Sequence, residues 1–257
     1  MFQNYFKTAL RHLKNHKSHV AINVVGLGFG IASCLIAYLL WNFDTDFDRF
    51  HTKADQLYRI ETVKSNTQEL YGIAPAPLAD LAKQNMAGVK DAVIMDYEWT
   101  TMNVADRTFN QRVLFTSDNF LQWFDFEILT GTAQLNDPST VLLTEKMAKK
   151  YFGDENPIGQ NFKLYPELHR QKNLIVTGVV KDHPVNSSVV FDFITNTQNR
   201  VDPQGNRYQS ANWELWRDAI FLALEKGQSA DKILPQLDQY VAAHQAARPD
   251  FKTKQFF

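Results

Sequence analysis

The side chains that could do chemistry in this chain are few and poorly grouped. Asp182-His183 is followed at short range by Ser187 and Ser188, the residue types of a nucleophile, base and orienting acid. All four fall in one short stretch, which does not supply the geometry a catalytic triad needs. Asp44, Asp46 and Asp48 alternate like the first ligands of a calcium loop. That loop wants Gly at position six and Glu at position twelve, and here those places hold Arg49 and Asp55. Seven histidines are scattered, with no HExxH and no HxxxH pair beside an acid. No GxxxxGK[ST] phosphate loop and no GxSxG nucleophile elbow occurs. The single cysteine, Cys34, excludes disulfides within the chain and metal sites built on cysteine. Ile31-Ala32-Ser33-Cys34 matches a lipoprotein cleavage box, but such a box closes an apolar run, and Leu35 to Leu40 continue this one. The residues therefore predict a protein without catalytic residues, metal or cofactor.

What organises the chain is apolar. Val20 to Phe43 is 24 consecutive residues without a formal charge. About 20 such residues span the hydrocarbon core of a bilayer, and a soluble helix of that length would need a polar face that is missing here. A secretory signal has a shorter apolar segment, so the run predicts a membrane helix. Lys7, Arg11, Lys14 and Lys17 precede it and Asp44, Asp46 and Asp48 follow it. Basic residues stay on the cytoplasmic side, which puts residues 1–19 inside and the 214 residues from Asp44 outside. Setting aside those four basic residues leaves 23 basic against 28 acidic, a net charge near −5 for the outer part. Phe2, Phe6, Leu10 and Leu13 share a helical face, consistent with a basic amphipathic tail on the inner membrane surface. Gly26 and Gly30 form a GxxxG pair, a spacing that lets another helix approach.

The outer part alternates elements. Leu57–Val63 reads as a strand, the LADLAKQNM stretch after Pro75 and Pro77 as a helix closed by Gly88, and Val89–Trp99 as a strand. Short strands follow at Met102–Ala105, Arg107–Phe115, Phe126–Leu129, Thr140–Leu143, Asn161–Tyr165 and Leu174–Val180. Thr144 is placed to cap the helix EKMAKKYF, with Gly153 at its C-terminal end. Phe191–Thr195 and Ala219–Leu224 read as strands, Ser229 as the cap of one helix through Gln245 carrying an awkward Pro235, and FKTKQFF as a strand just begun. The expected fold is α+β: one N-terminal transmembrane helix, then a ferredoxin-like β-α-β/β-α-β subdomain (residues 44–100 and 190–257) with an inserted β-rich subdomain (101–189).

Several blocks together resemble MacB/FtsX-type ABC transporter permeases. They are Asn23-Val24-Val25-Gly26-Leu27 with Gly30-Ile31, Phe47-Asp48-Arg49-Phe50-His51, Ala54-Asp55-Gln56-Leu57-Tyr58-Arg59, Phe124-Asp125-Phe126 with Gly131, and Val141-Leu142-Leu143-Thr144. Further along come Ala148-Lys149-Lys150-Tyr151-Phe152-Gly153, Asn156-Pro157-Ile158-Gly159-Gln160 and Val176-Thr177-Gly178-Val179-Val180-Lys181-Asp182 with Pro184. The resemblance implies a periplasmic core domain with a porter-like subdomain, in the bacterial inner membrane. It implies a separate cytoplasmic ABC ATPase, remaining permease helices or a second permease copy, and a periplasmic adaptor or substrate protein as partners, and no nucleic acid. It also implies further membrane helices. No second apolar run of about 18 residues follows Phe43, so the expectation is a truncated N-terminal part of a longer permease. The function expected is coupling of ATP hydrolysis on another subunit to a periplasmic domain. The alternative is a single-span, membrane-anchored periplasmic sensor or ligand-binding module.

Overall fold

The computed structural model describes residues 2–104, 107–167, 170–201 and 208–257. The chain forms two compact units, Met1–Asp48 and Arg49–Phe257.

The first unit is helical. Helix α1 spans Phe2–Asn15 and α2 spans Lys17–Thr45, with His16 outside helical geometry between them. Of the four residues expected on the apolar face of the tail, the side chain of Phe6 is described, and it is exposed. Helix α2 contains the whole apolar run and buries no side chain, with a mean hydropathy of 2.2 in its most apolar window. After Thr45 the chain turns, and Asp48 adopts a left-handed φ of +57°.

The second unit holds β1 (Leu57–Arg59), β2 (Thr62–Lys64), β3 (Leu70–Tyr71), β4 (Ala74–Pro75), α3 (Leu78–Asn85), β5 (Val89–Val104), β6 (Arg107–Thr116), α4 (Phe120–Trp123) and β7 (Ile128–Gly131). It continues with β8 (Thr140–Thr144), α5 (Glu145–Phe152), β9 (Asn161–Glu167), β10 (Arg170–Val180), β11 (Phe193–Asn196), β12 (Trp216–Arg217) and β13 (Ala219–Leu224). It closes with α6 (Ala230–Asp238), α7 (Val241–Ala247) and β14 (Thr253–Phe256). Among the described residues, one nine-stranded sheet runs β1-β13-β5-β6-β11-β8-β10-β7, with β9 paired to both β10 and β5. β14, β2 and β3 form a second sheet, and β12 and β4 a third.

The period of two along each strand sorts the core. On one face of the large sheet, Val93, Met95, Leu114, Leu142, Ile194, Ala219 and Ala223 join Phe120, Phe124, Phe126 and Phe191 in a single cluster. On the opposite face the core divides. Ala92, Ile94, Ile220, Leu222 and Leu224 pack under α3 and α6. Val113, Phe115, Val141, Leu143, Val176 and Phe193 pack under α5 through Met147 and Tyr151. Strands buried on both faces must be apolar throughout, which is why Val141-Leu142-Leu143 and the AIFLAL of β13 do not alternate in polarity.

Three expectations are redrawn by the structure. Leu57–Val63 is two strands: Ile60 still donates its N–H to Ile220, but Glu61 bonds with Phe257, so the chain passes there from one sheet to another. Met102 to Val104 continue β5, because the β-forming run through Thr100 and Thr101 has no breaker, while Ala105 of the expected strand lies outside the described residues. The expected single helix from Ala230 is two, and it breaks at Gln239–Tyr240 rather than at Pro235, which sits inside α6. At the break Tyr240 donates its N–H to Leu237, a tightened final turn. Thr144 caps α5 as expected, its hydroxyl accepting the Met147 N–H at 3.3 Å, and Gly153 closes it with φ +61°.

Candidate functional site

The second unit begins with a latch. Phe50 and His51 enter an aromatic cluster in which the His51 ring lies 5.1 Å from Phe124 and 5.4 Å from Phe126. The Asp125 N–H donates to His51 Nδ1 at 3.0 Å. A backbone amide can only donate, so Nδ1 holds a lone pair and the proton of the neutral ring sits on Nε2. The carboxylate of Asp125 accepts in return from the N–H and the hydroxyl of Thr52, the latter at 2.9 Å. Lys53 donates to the carbonyl of Gln122 and sits 5.3 Å over the Trp123 ring. Trp123 Nε1 then donates to Asp91, which is paired with Lys83 of α3 at 2.7 Å. Phe124 packs edge-on to Phe221 of β13. Residues 50–53 are thereby fastened through the 120–126 corner to β5, β13 and α3.

Two more sequence blocks meet at the β7–β10 crossing. A Cβ on Gly131 would lie 2.2 Å from the Thr177 carbonyl and 2.9 Å from Ile158, at a φ of +81°. Gly159 donates its N–H to Val176 at 2.8 Å, and Val176 donates to Gln160 at 3.0 Å. Asp182 accepts the Lys146 N–H at 3.0 Å in the first turn of α5, where a negative charge is favoured by the free amides. These bonds explain why glycine stands at 131 and an acid at 182.

A third constellation was not read from sequence. Asp96 is fully buried and paired with Arg217 at 2.6 Å and with Arg200. It also accepts the Asp218 N–H at 3.0 Å, and Asp218 accepts the Tyr97 N–H at 2.7 Å. The Arg217 guanidinium stacks 3.9 Å from the Tyr208 ring. Beside this cluster opens a cavity of about 490 Å³ reached by Glu98, Arg200, Tyr208, Trp216, Asp218 and Arg248. Burial raises Glu98 against the pull of Arg200, raises Asp218 against the bond from Tyr97, and pushes Tyr208 up to about 12. The Asp96–Arg217 pair links positions 121 residues apart, so no local spacing announces it. The one available signal was Arg217 beside a strongly apolar strand, an ion that needs a partner.

The residues singled out from sequence are placed as follows. Gly26 and Gly30 lie on α2, with no atom within 4 Å of a Cβ built on either. Cys34 is exposed on the same helix. Asp182 serves α5, His183 leans on the Phe191 ring at 6.1 Å, and Ser187 is buried with its hydroxyl on the Val189 carbonyl. The structure does not bring these three into a catalytic line. Among the described residues no group of three or more His, Cys, Asp or Glu is arranged to hold a metal ion.

A membrane-length apolar helix followed by a mixed helix and sheet domain, with its buried charges engaged in internal fastening, defines the class of membrane-anchored domain proteins. The profile of the MacB-like periplasmic core domain family matches residues 20–240. The chain belongs to this family and is a MacB/FtsX-type ABC permease component. No protein of curated function matches the sequence. Among solved structures, its fold is similar to a domain assigned to a permease from Porphyromonas gingivalis, with TM-score 0.59, 18% identity, and coverage of 80% of this chain and 90% of that one. It is similar to the periplasmic region of MacB from Actinobacillus actinomycetemcomitans, with TM-score 0.55, 13% identity and coverage of 79% and 87%. It is also similar to the extracellular domain of the ABC-type transporter YknZ from Gram-positive bacteria, with TM-score 0.54, 14% identity and coverage of 78% and 97%.

Proposed function

We propose that this chain couples ATP hydrolysis by a separate cytoplasmic ABC ATPase to movement of a domain outside the inner membrane, in export or mechanotransmission. The observation that carries this reading is the latch. A coupling domain needs its first residues fixed to its rigid core, and Phe50 to Lys53 are fixed by His51–Asp125, Thr52–Asp125 and Lys53–Gln122. A loose tether would dissipate a displacement that this arrangement passes to the large sheet. Residues 1–19 lie inside and residues from Asp44 outside in this reading, and Gly26 and Gly30 face a neighbouring helix of the permease or of a second copy.

The outer unit works as two parts. β14 lies beside β2, β1 beside β13, and β13 beside β5, which supports a ferredoxin-like porter subdomain from residues 44–100 and 190–257. The divided core on one face supports a β-rich subdomain over 101–189. A periplasmic adaptor or substrate protein is the proposed partner of this unit. The test is topology: reporter fusions after Lys64 and after Gly131 give activity of the outer compartment, and cytoplasmic signals from both reject the reading.

A further inference from the structure

His244 of α7 is fully buried, and so is Thr253, the first residue of β14. His244 Nδ1 meets the Thr253 hydroxyl at 2.7 Å, and Gln245 of the same helix donates to the Thr253 carbonyl. Aromatic rings enclose the imidazole: Trp216 at 4.7 Å, Phe256 at 6.1 Å, Phe251 at 6.2 Å and Trp213 at 6.5 Å. Nε2 is buried and has no hydrogen-bond partner among the described residues. This ring is therefore the pin between α7 and β14. β14 in turn pairs Thr253 with Lys64 and Phe256 with Thr62, and so holds β2.

We propose that His244 makes the α7–β14 closure of the outer domain acid-sensitive, releasing β14 from β2 when the ring takes a second proton. An imidazolium needs two accepting partners, and among the described residues no oxygen or nitrogen accepts from Nε2, the ring faces around it being weak substitutes. The ionised groups nearby do not rescue it. Arg248, one turn on, opposes a second positive charge, while Asp250 favours it but is held by Arg248 at 2.7 Å. From the other elements, Glu214 gives its backbone carbonyl to Arg248, and Lys64 lies 5.4 Å over Phe251. Glu69 on the far side of Tyr71 is engaged by that tyrosine and by Thr67. Burial, aided by Arg248, pushes the ring down to about 4, against 6.5 in an opened chain. The folded value is the lower one, so the closure is at full strength above 6.5 and weakens as pH falls toward 4. At pH 5 the open form gains roughly tenfold or more over the closed one. The biological use of this response rests on the outside location proposed above, where pH follows the medium.

The test is hydrogen exchange on the full chain in detergent micelles, corrected for intrinsic rates, at pH 7.5 and pH 5.0. The expected result is a loss of protection in Thr253–Phe256 of at least tenfold relative to Thr140–Thr144, absent in His244→Gln. Equal changes in both segments, or an undiminished loss in the variant, overturn the proposal. Should the variant fail to fold, the imidazole of the wild-type chain is titrated by NMR. A midpoint below 5 is expected, and one near 6.5 overturns the proposal. These readouts do not depend on membrane orientation, so their failure is separate from failure of the coupling reading.

Discussion

His51 accepts the backbone N–H of Asp125 at 3.0 Å across 74 residues of sequence, and the Asp125 carboxylate accepts twice from Thr52. The Asp125 backbone holds the ring and its side chain holds the next residue, so the two sides of the latch cannot slide independently. Replacing the side chain removes half of this arrangement and leaves the His51 bond in place.

Asp125→Ala is expected to destabilise the second unit by about 1–2 kcal/mol, and Thr52→Val, which keeps the backbone bond, by less. Because the bond from the Thr52 hydroxyl is lost in both, the double variant costs less than the sum, with a coupling of at least about 0.5 kcal/mol. Denaturant titrations of the four proteins measure the cycle. Strict additivity would show that the latch is incidental.

The buried ion cluster makes a larger prediction. Arg217→Met leaves the buried Asp96 with one cationic partner among the described residues, Arg200, which is 18% exposed where Arg217 is 3% exposed. Breaking a buried pair from one side costs about 3–5 kcal/mol. Arg200→Met is expected to cost less, because water can reach that side of the carboxylate. Thermal unfolding of both variants gives the order, and a reversed order would contradict the assignment of Arg217 as the principal partner.

Glu98 gives a pH dependence of defined sign. Its folded value lies above the ordinary 4.5 because of burial. The folded chain then holds its proton to higher pH than the unfolded chain, so this stability is complete below 4.5 and is lost as pH rises through the folded value. Glu98→Gln is expected to match the wild type near pH 4 and to be more stable at pH 7. A variant equally stable at both, or weaker at pH 7, would contradict it.

Glycine substitutions separate close approach from backbone strain. Gly131→Ala drives a methyl against the Thr177 carbonyl at positive φ, whereas Gly153→Ala, also at positive φ, meets nothing within 4 Å. The first is expected to cost at least about 2 kcal/mol and the second about 1 kcal/mol. Unfolding midpoints of the two proteins decide the matter.

Much of this architecture was legible in the sequence because it is written in local rules. The apolar run produced α2, Thr144 produced the cap of α5, and the segments at 107–115, 140–143 and 219–224, read as strands, are strands. The blocks shared with ABC permeases turned out to be the parts that touch, Phe50-His51 with Phe124-Asp125-Phe126, and Gly131 with Ile158 and Thr177. What could not be read depends on distant pairing. Nothing around Asp96 names Arg200 or Arg217, nothing around His244 names Trp216, and the crossing from β1 to β2 at Glu61 is decided by Phe257 at the other end of the domain.

The central claim is that this chain receives work from a nucleotide-hydrolysing partner and performs none itself. ATP turnover by the purified chain in detergent, measured alone and then with a cytoplasmic ABC ATPase subunit and further permease helices, tests it most directly. The account predicts no turnover by the chain alone, and turnover in the assembly that responds to Asp125→Ala. Turnover by the isolated chain, abolished by a point substitution within it, would contradict the account.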